Sequence, residues 1–258
     1  MYISDISRTD ILSSFDPVSL HTLIARAAML ERLDQKYVVD RPVLDRALMN
    51  MRGAFSALEI QGTRSFEYRT VYFDSFDRRS YHDHHQGRRR RAKVRVRHYV
   101  DAGSTFAEVK LKDRRGITVK QRLPLETDNL FHLTDQAIDF VHQSYRDLYA
   151  KEFAYELRPV LAVVYKRITL VANAGGERMT IDSALSFSAG EKDVAVSPDI
   201  FIVETKSANG NGLADKVFRA LHQHPMEHCS KYCVGTALLH EDVKSNRFRP
   251  AIKKLTKM

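Results

Sequence analysis

Between Lys93 and Arg97 the chain reads KVRVR, basic and apolar residues in strict alternation. A period of two is that of a β-strand, which sends successive side chains to opposite faces. Lys93, Arg95, Arg97 and Tyr99 therefore share one face, and Val94, Val96 and His98 the other. The pattern recurs. EVKLK sets Glu108, Lys110 and Lys112 against Val109 and Leu111, and TVKQRL sets Lys120 and Arg122 against Val119 and Leu123. YKR pairs Tyr165 with Arg167, and RMTID sets Arg178, Thr180 and Asp182 against Met179 and Ile181. IVETK sets Glu204 and Lys206 against Val203.

An antiparallel sheet with one wet face also alternates, and that accounts for any single strand. It accounts less well for the set. A solvated face mixes Thr, Ser, Gln, Lys and Glu, whereas these positions are mostly Arg and Lys. Cations concentrated on one face repel one another unless an anion neutralises them. The expectation is an α+β fold whose antiparallel strands close into a β-barrel, with a basic lumen inside and helices covering the outside. Arginine binds phosphate through a planar fork and lysine as a point charge. The net charge of +9 over 258 residues points to an anionic partner as well. A duplex-binding protein would instead present an exposed basic stripe or a recognition helix, so no nucleic acid partner is expected.

Hydrophobic residues make up 43% of the chain and charged residues 28%, a globular composition. No repeat, low-complexity block or linker interrupts it, so residues 1–258 read as one domain. Leu20, Leu23, Ile24, Ala27 and Leu30 predict an amphipathic helix over about 16–33, followed by a strand in ERLDQKYVVD. Asp40 and Pro42 have the chemistry of a helix start. DRRSYHDHHQG reads as a helical turn or loop closed by Gly87, and DAGS and DRRG as turns between strands. DNLFHLTDQAIDFVHQSYRDLYAKEF, GLADKVFRALHQH and SKYCVGTALLH read as helices, and two long strands flank NAGG. The basic tail, about 242–258, reads as frayed. The longest apolar run, PVLAVVY, is too short to span a bilayer. MYISDISRTD has no apolar leader segment, and the only cysteines are Cys229 and Cys233. The expected setting is reducing and cytoplasmic.

RLDQKY, VYFDS, GRRRRAKVRVRHY, AEVKLK, VKQR, RPVLAVVYKR, RMTID, VETK and SKYCVG occur in this order from about Arg32 to Gly235. In these pieces the sequence resembles the catalytic domain of the vacuolar transporter chaperone (VTC) family, within the triphosphate tunnel metalloenzyme (CYTH-like) superfamily. The resemblance implies an antiparallel tunnel and polyphosphate polymerisation from ATP with Mn²⁺ or Mg²⁺. The partners would be ATP or another triphosphate, and polyphosphate itself. It implies phosphate contacts for Lys36, Arg95, Arg97, Lys110, Lys120, Arg167, Arg178 and Lys231, and a metal-binding role for Glu204. Lys93, Lys112, Arg122 and Lys206, on the same strand faces, are secondary phosphate-binding candidates. One departure separates branches of the superfamily. Tunnel triphosphatases open on Glu-x-Glu-x-Lys, whereas the same parity here reads Arg32, Asp34, Lys36. A cation in place of the first acid favours a longer anion over a carboxylate-rich hydrolytic metal site. A tunnel triphosphatase and a non-catalytic polyphosphate or nucleotide sensor stand as the alternatives.

Several clusters compete for attention. His82, Asp83, His84 and His85 read as a solvated turn rather than a zinc site. His222, His224, His228, Cys229 and Cys233 lie where helix packing explains them better than zinc. Arg88 to Arg91 form either a mouth-lining patch that steers ATP or a solvated edge. Tyr99 and Tyr165 fill space on the inward parity. Glu108 and Asp182 are read as acids that orient the cations rather than as metal ligands. No GxxxxGK[ST] phosphate loop occurs.

Overall fold

The computed structural model describes residues 10–26 and 33–256. In chain order the strands are β1 (Asp16–Val18), β2 (Leu33–Asp40), β3 (Phe55–Leu58), β4 (Phe66–Asp74), β5 (Ala92–Tyr99), β6 (Ser104–Lys112), β7 (Thr118–Leu125), β8 (Arg158–Ala172), β9 (Arg178–Ala189), β10 (Lys192–Ala195) and β11 (Ile200–Ser207). The helices are α1 (Asp10–Ser13), α2 (Leu20–Arg26), α3 (Arg41–Met51), α4 (Arg79–Gln86), α5 (Asp135–Tyr149), α6 (Leu213–Ala220), α7 (Lys231–Leu239) and α8 (Arg249–Leu255). One sheet runs β2-β11-β9-β8-β4-β5-β6-β7, antiparallel at every step. β3 pairs with β8, β10 with β9, and β1 joins β3 in parallel. The fold is α+β and antiparallel.

Local chemistry sets the helix ends. Asp40 Oδ1 accepts the Val43 N–H at 3.0 Å, with Pro42 in the first turn of α3. Thr134 and Ser230 cap α5 and α7 in the same way. Gly87, at φ 69°, ends α4 in the left-handed conformation that glycine adopts without strain.

The sheet's two faces pack differently. On its convex side Tyr37, Val39, Ile168, Ile181 and Val203 meet α3 and α6 in one apolar cluster. Val94, Val96, Val109 and Leu111 meet α5 in another. On the concave side, Val38, Leu161, Leu185, Phe187 and Ile202 pack against α7 and α8. Helices therefore occupy part of the inside, contrary to the expectation that they only cover the outside. Gly235 on α7 permits this approach, because a Cβ there would lie 2.4 Å from Phe187 Cδ1.

Three further expectations are corrected. The barrel is not closed by backbone hydrogen bonds: β2 and β7 end the path, and no ladder joins them among the described residues. Asp34 and Lys120 face each other across this seam at 3.9 Å. The amphipathic helix expected over about 16–33 is a strand at Asp16–Val18, then a helix at Leu20–Arg26 that buries Leu23 but exposes Leu20 and Ile24. Ala27, Leu30 and Arg32 lie outside the described residues. The described part of the tail, up to residue 256, is not frayed: Phe248, Ala251 and Leu255 are buried beside α7 and give it an apolar side that its charge density hides.

Candidate functional site

The alternation delivers the cations to one concave surface. Arg95 lies opposite Glu108 and Tyr72 in the ladders, and Lys110 lies opposite Lys93 and Lys120. Glu204 lies opposite Lys36 and Thr180, and Lys206 opposite Asp34 and Arg178. Arg167 faces Asp182. On β9 the positive φ of Ala184, 48°, accompanies an irregularity in the register with β8. Inward positions thus pass from Thr180 and Asp182 to Leu185 and Phe187, from the charged lumen to the apolar floor beneath α7.

Each carboxylate on this surface serves two or more cations or hydrogen-bond donors. Glu108 accepts from Arg95 Nε at 2.6 Å and from Tyr99 OH at 3.2 Å, with Arg97 Nη1 at 3.8 Å. Burial works against its charge, yet Arg95 and Arg97 hold the carboxyl down at about 2. Tyr72 OH accepts from Arg95 at 3.2 Å and Thr70 Oγ1 from Arg97 at 3.3 Å. Asp182, 1% exposed, takes Arg167 in a two-pronged pair at 2.6 and 2.8 Å and also pairs with Lys231. Lys231 reaches in from the first turn of α7 and lies over the Tyr165 ring, 4.5 Å from its centroid. Lys36 meets Glu204 at 3.2 Å, and Lys206 bridges Glu204 and Asp34, the latter at 2.7 Å. Burial opposes the Glu204 charge, but Lys36, Lys206 and Arg167 hold its carboxyl well below the ordinary range.

Lys110 is different. It forms no hydrogen bond or ion pair among the described residues, and its side chain is exposed to solvent on the concave surface. Burial, then Lys36, Lys120 and Lys93, push its ammonium down to about 6. A phosphate chain beside it would restore the proton, so binding an anion here would take up a proton between pH 6 and the ordinary lysine range. Affinity for tripolyphosphate should then fall as pH rises from 6 to 8, less steeply than for a fully buried lysine because solvent reaches the ammonium. Calorimetry on the wild type and Lys110→Arg checks it. The always-charged arginine should keep only the ligand's own pH dependence, and identical profiles would defeat the assignment.

Of the secondary candidates, Lys112 and Arg122 lie toward the edges, whereas Lys93 and Lys206 sit inside. Lys93 Nζ donates to Ser230 Oγ at 2.8 Å. Lys112 Nζ donates to Gly116 O at 2.6 Å, at the rim. Arg122 is exposed and sits 5.1 Å from the Phe106 ring centroid. Tyr99 does more than fill space, since its hydroxyl binds Glu108. Sequence reasoning assigned no role to Thr70, Tyr72 or Ser230. Inward parity in RTVYFD was the missed signal for the first two, and the position before Lys231 for the third.

Two expectations about metals can be tested on donors. Among the described residues no three of His, Cys, Asp and Glu gather to hold an ion. Cys229 and Cys233 are buried free thiols in the apolar cluster under α7. His84 Nδ1 lies 2.8 Å from Ser80 O, and His85 Nε2 lies 2.6 Å from Asn246 Oδ1. Among the described residues neither histidine cluster gathers the three donors that a zinc site calls for. A divalent ion shared with phosphate needs less from the protein, one or two carboxylates with phosphate oxygens and water completing the shell. Glu204 fits that requirement. Asp34 does not add to it, because the Lys206 ammonium stands between the two acids.

Among solved structures the chain is similar to a Vibrio parahaemolyticus protein with a provisional adenylate cyclase assignment, 9% identical, covering 79% of this chain and 97% of that one at a TM-score of 0.44. It is also similar to Hippeastrum HpAC1, named as an adenylyl cyclase and described as having a dominant triphosphatase activity. That protein is 12% identical, with coverage of 82% and 97% and a TM-score of 0.42. The PH1819 protein of Pyrococcus horikoshii OT3 matches at 13% identity over 74% of this chain and 84% of that one, with a TM-score of 0.37. No curated protein gives a significant match. The family model described as the VTC domain matches residues 31–240, most of the chain's length, and the chain belongs to that family.

Proposed function

We propose that the concave surface binds the phosphates of ATP and of a polyphosphate chain, and that the protein transfers the γ-phosphate of ATP to the chain end. The observation that carries this reading is the convergence of cations from seven strands and one helix, outnumbering the four acids among them, inside a single half-closed sheet. Phosphoryl transfer asks a protein for charge neutralisation and alignment more than for covalent chemistry. Arg95, Arg97 and Arg167 are held in place by Glu108, Thr70 and Asp182, so their forks are preorganised for phosphate oxygens. Lys36, Lys110, Lys120, Arg178 and Lys231 supply the remaining charge. Glu204 would hold Mn²⁺ or Mg²⁺ together with phosphate oxygens, and a bound divalent ion would withdraw charge from the transferring group.

Asp34 weighs against a plain triphosphatase. That chemistry calls for carboxylates free to organise metal and water, whereas Asp34 is engaged by Lys206 and, across the seam, by Lys120. The deciding experiment follows labelled ATP with Mn²⁺ and scores acid-insoluble polymer against free phosphate. Polymer supports the proposal, free phosphate alone moves the protein to hydrolysis, and no turnover with any divalent metal leaves a sensor.

Binding has its own check. Tripolyphosphate at a hundred times its Kd should stabilise the fold by about 2.7 kcal/mol. A thermal melt reads this against chloride at matched ionic strength. Equal melting temperatures in the two salts would remove the case for a specific anion site.

A further inference from the structure

Accessibility differs among the lumen's cations. Arg97 keeps 8% of its side-chain surface, whereas Lys120 keeps 51%. Lys110 and Lys120 lie opposite each other, two residues from the turn that joins β6 to β7. That turn contains Arg114 and Arg115, both exposed. The segment entering β5 lies beside it, since Lys112 N–H donates to Arg91 O at 3.2 Å. Tyr149 OH at the end of α5 binds both Arg91 O and Lys112 O, which fixes the two segments side by side. Arg89 and Arg90, in the same segment, are exposed.

The local acids do not neutralise this group. Asp83 pairs with Arg88 at 3.3 Å, and the Asp113 side chain accepts the Arg115 and Ile117 N–H groups of its own turn. Arg89, Arg90, Arg114 and Arg115 form no ion pair among the described residues. Beyond the opposite ends of β5 and β7 exposed acids appear, Asp101 after β5 and Glu126 after β7, although Arg122 within β7 is also exposed. Exposed arginines are ordinary taken singly. Here they continue a line of cations that begins inside the barrel.

We propose that Arg89, Arg90, Arg91, Lys112, Arg114 and Arg115 form an external track for polyphosphate, which leaves the lumen past Lys110 and Lys120 at the β6–β7 turn. The inference rests on the lumen taking a phosphate chain. A triphosphate spans three phosphates and engages the lumen cations first, whereas a long chain continues past them to the rim and would gain further contacts there. The track favours long polymer over short and gives the chain one direction of exit, away from Asp101 and Glu126.

The test uses the whole chain with Arg89, Arg90, Arg114 and Arg115 all changed to Ser, leaving the lumen intact. Tripolyphosphate and long-chain polyphosphate are titrated separately over a range of salt. The expected result is a loss of at least ~10-fold in affinity for the long chain, with a shallower dependence on salt, because fewer counterions are released. Affinity for tripolyphosphate should stay unchanged. Unchanged long-chain affinity, with both ligands still bound by the wild type, overturns the track alone. An equal loss for both ligands also overturns it, and makes the arginines a steering patch for any triphosphate. A wild type that binds neither anion overturns the lumen reading and the track together.

Discussion

Replacing Asp182 by Asn should destabilise the ligand-free protein by about 3 kcal/mol, the lower part of the range for breaking a buried ion pair. At 258 residues that corresponds to roughly 2–4 °C of melting temperature per kcal/mol. The carboxylate is 1% exposed and holds Arg167 and Lys231, which keep only 19% and 12% of their side-chain surfaces. Asparagine preserves the shape but leaves two half-sequestered cations facing each other. A phosphate chain would neutralise them, so tripolyphosphate should stabilise the variant by more than it stabilises the wild type. The pH dependence has a definite sign. Burial opposes the Asp182 charge, but Arg167 and Lys231 hold its carboxyl below the ordinary value. The folded state therefore binds fewer protons than the unfolded chain in acid. The stabilisation is fully present above about pH 4 and is lost as pH falls toward the folded value, so wild type and variant should converge in strong acid. Calorimetric melts from pH 7 to pH 3, with and without tripolyphosphate, read all of this. A wild-type melting point for Asp182→Asn at pH 7 would show that Asp182 does not neutralise the arginine and lysine.

The parts of this molecule that could be read in its sequence are those in which local chemistry and the final fold agree. In KVRVR the alternation is unbroken, and the ladder keeps Arg95 and Arg97 inward and Val94 and Val96 outward. The Asp40 cap and Pro42 announce α3 in the same local way. Reading by parity fails where register changes. The irregularity near Ala184 makes Leu185 and Phe187 inward residues, although counting by twos from Asp182 sets them outward. The concave seat of α7 and α8 was hidden for a related reason. Val38 and Ile202 occupy the same strand parity as Lys36 and Glu204, and alternation cannot tell an inward residue that faces water from one that faces a helix. Closure was not legible either. Sequence shows β2 and β7 as strands, but whether edge strands share a ladder depends on the accumulated twist and stagger of the strands between them. The Asp34–Lys120 pair across the seam is a long-range consequence of that geometry.

Replacing Glu204 by Gln should lower metal-dependent turnover by roughly a hundredfold or more, about 3 kcal/mol in the barrier, while the fold and ATP binding persist. Two roles compete for this residue. In the ligand-free protein Glu204 is an ion-pair partner, holding Lys36 at 3.2 Å on one oxygen and Lys206 on the other. In the proposed reaction it also anchors the divalent ion. The substitution separates the roles because only the metal role predicts a loss of turnover. As a pure salt-bridge acid, Glu204 restrains two lysines, and its loss would free them for phosphate, so ATP would bind more tightly and turnover would be spared. As the metal's protein ligand, its loss also tightens nucleotide binding by removing a repelling carboxylate, but turnover collapses. Stability gives a second readout. Glutamine leaves Lys36 and Lys206 without their shared carboxylate, although Asp34 still holds Lys206 at 2.7 Å. The ligand-free melting temperature should therefore fall less than for Asp182→Asn, whose cations form no second ion pair among the described residues, Glu204 acting on Arg167 only from a distance. The assay follows ADP and acid-insoluble polyphosphate from ATP and Mn²⁺, alongside nucleotide binding without metal. Near wild-type polymer from Glu204→Gln would sink the metal role and leave Glu204 as a structural acid. Lost turnover with tighter metal-free nucleotide binding assigns it to the ion.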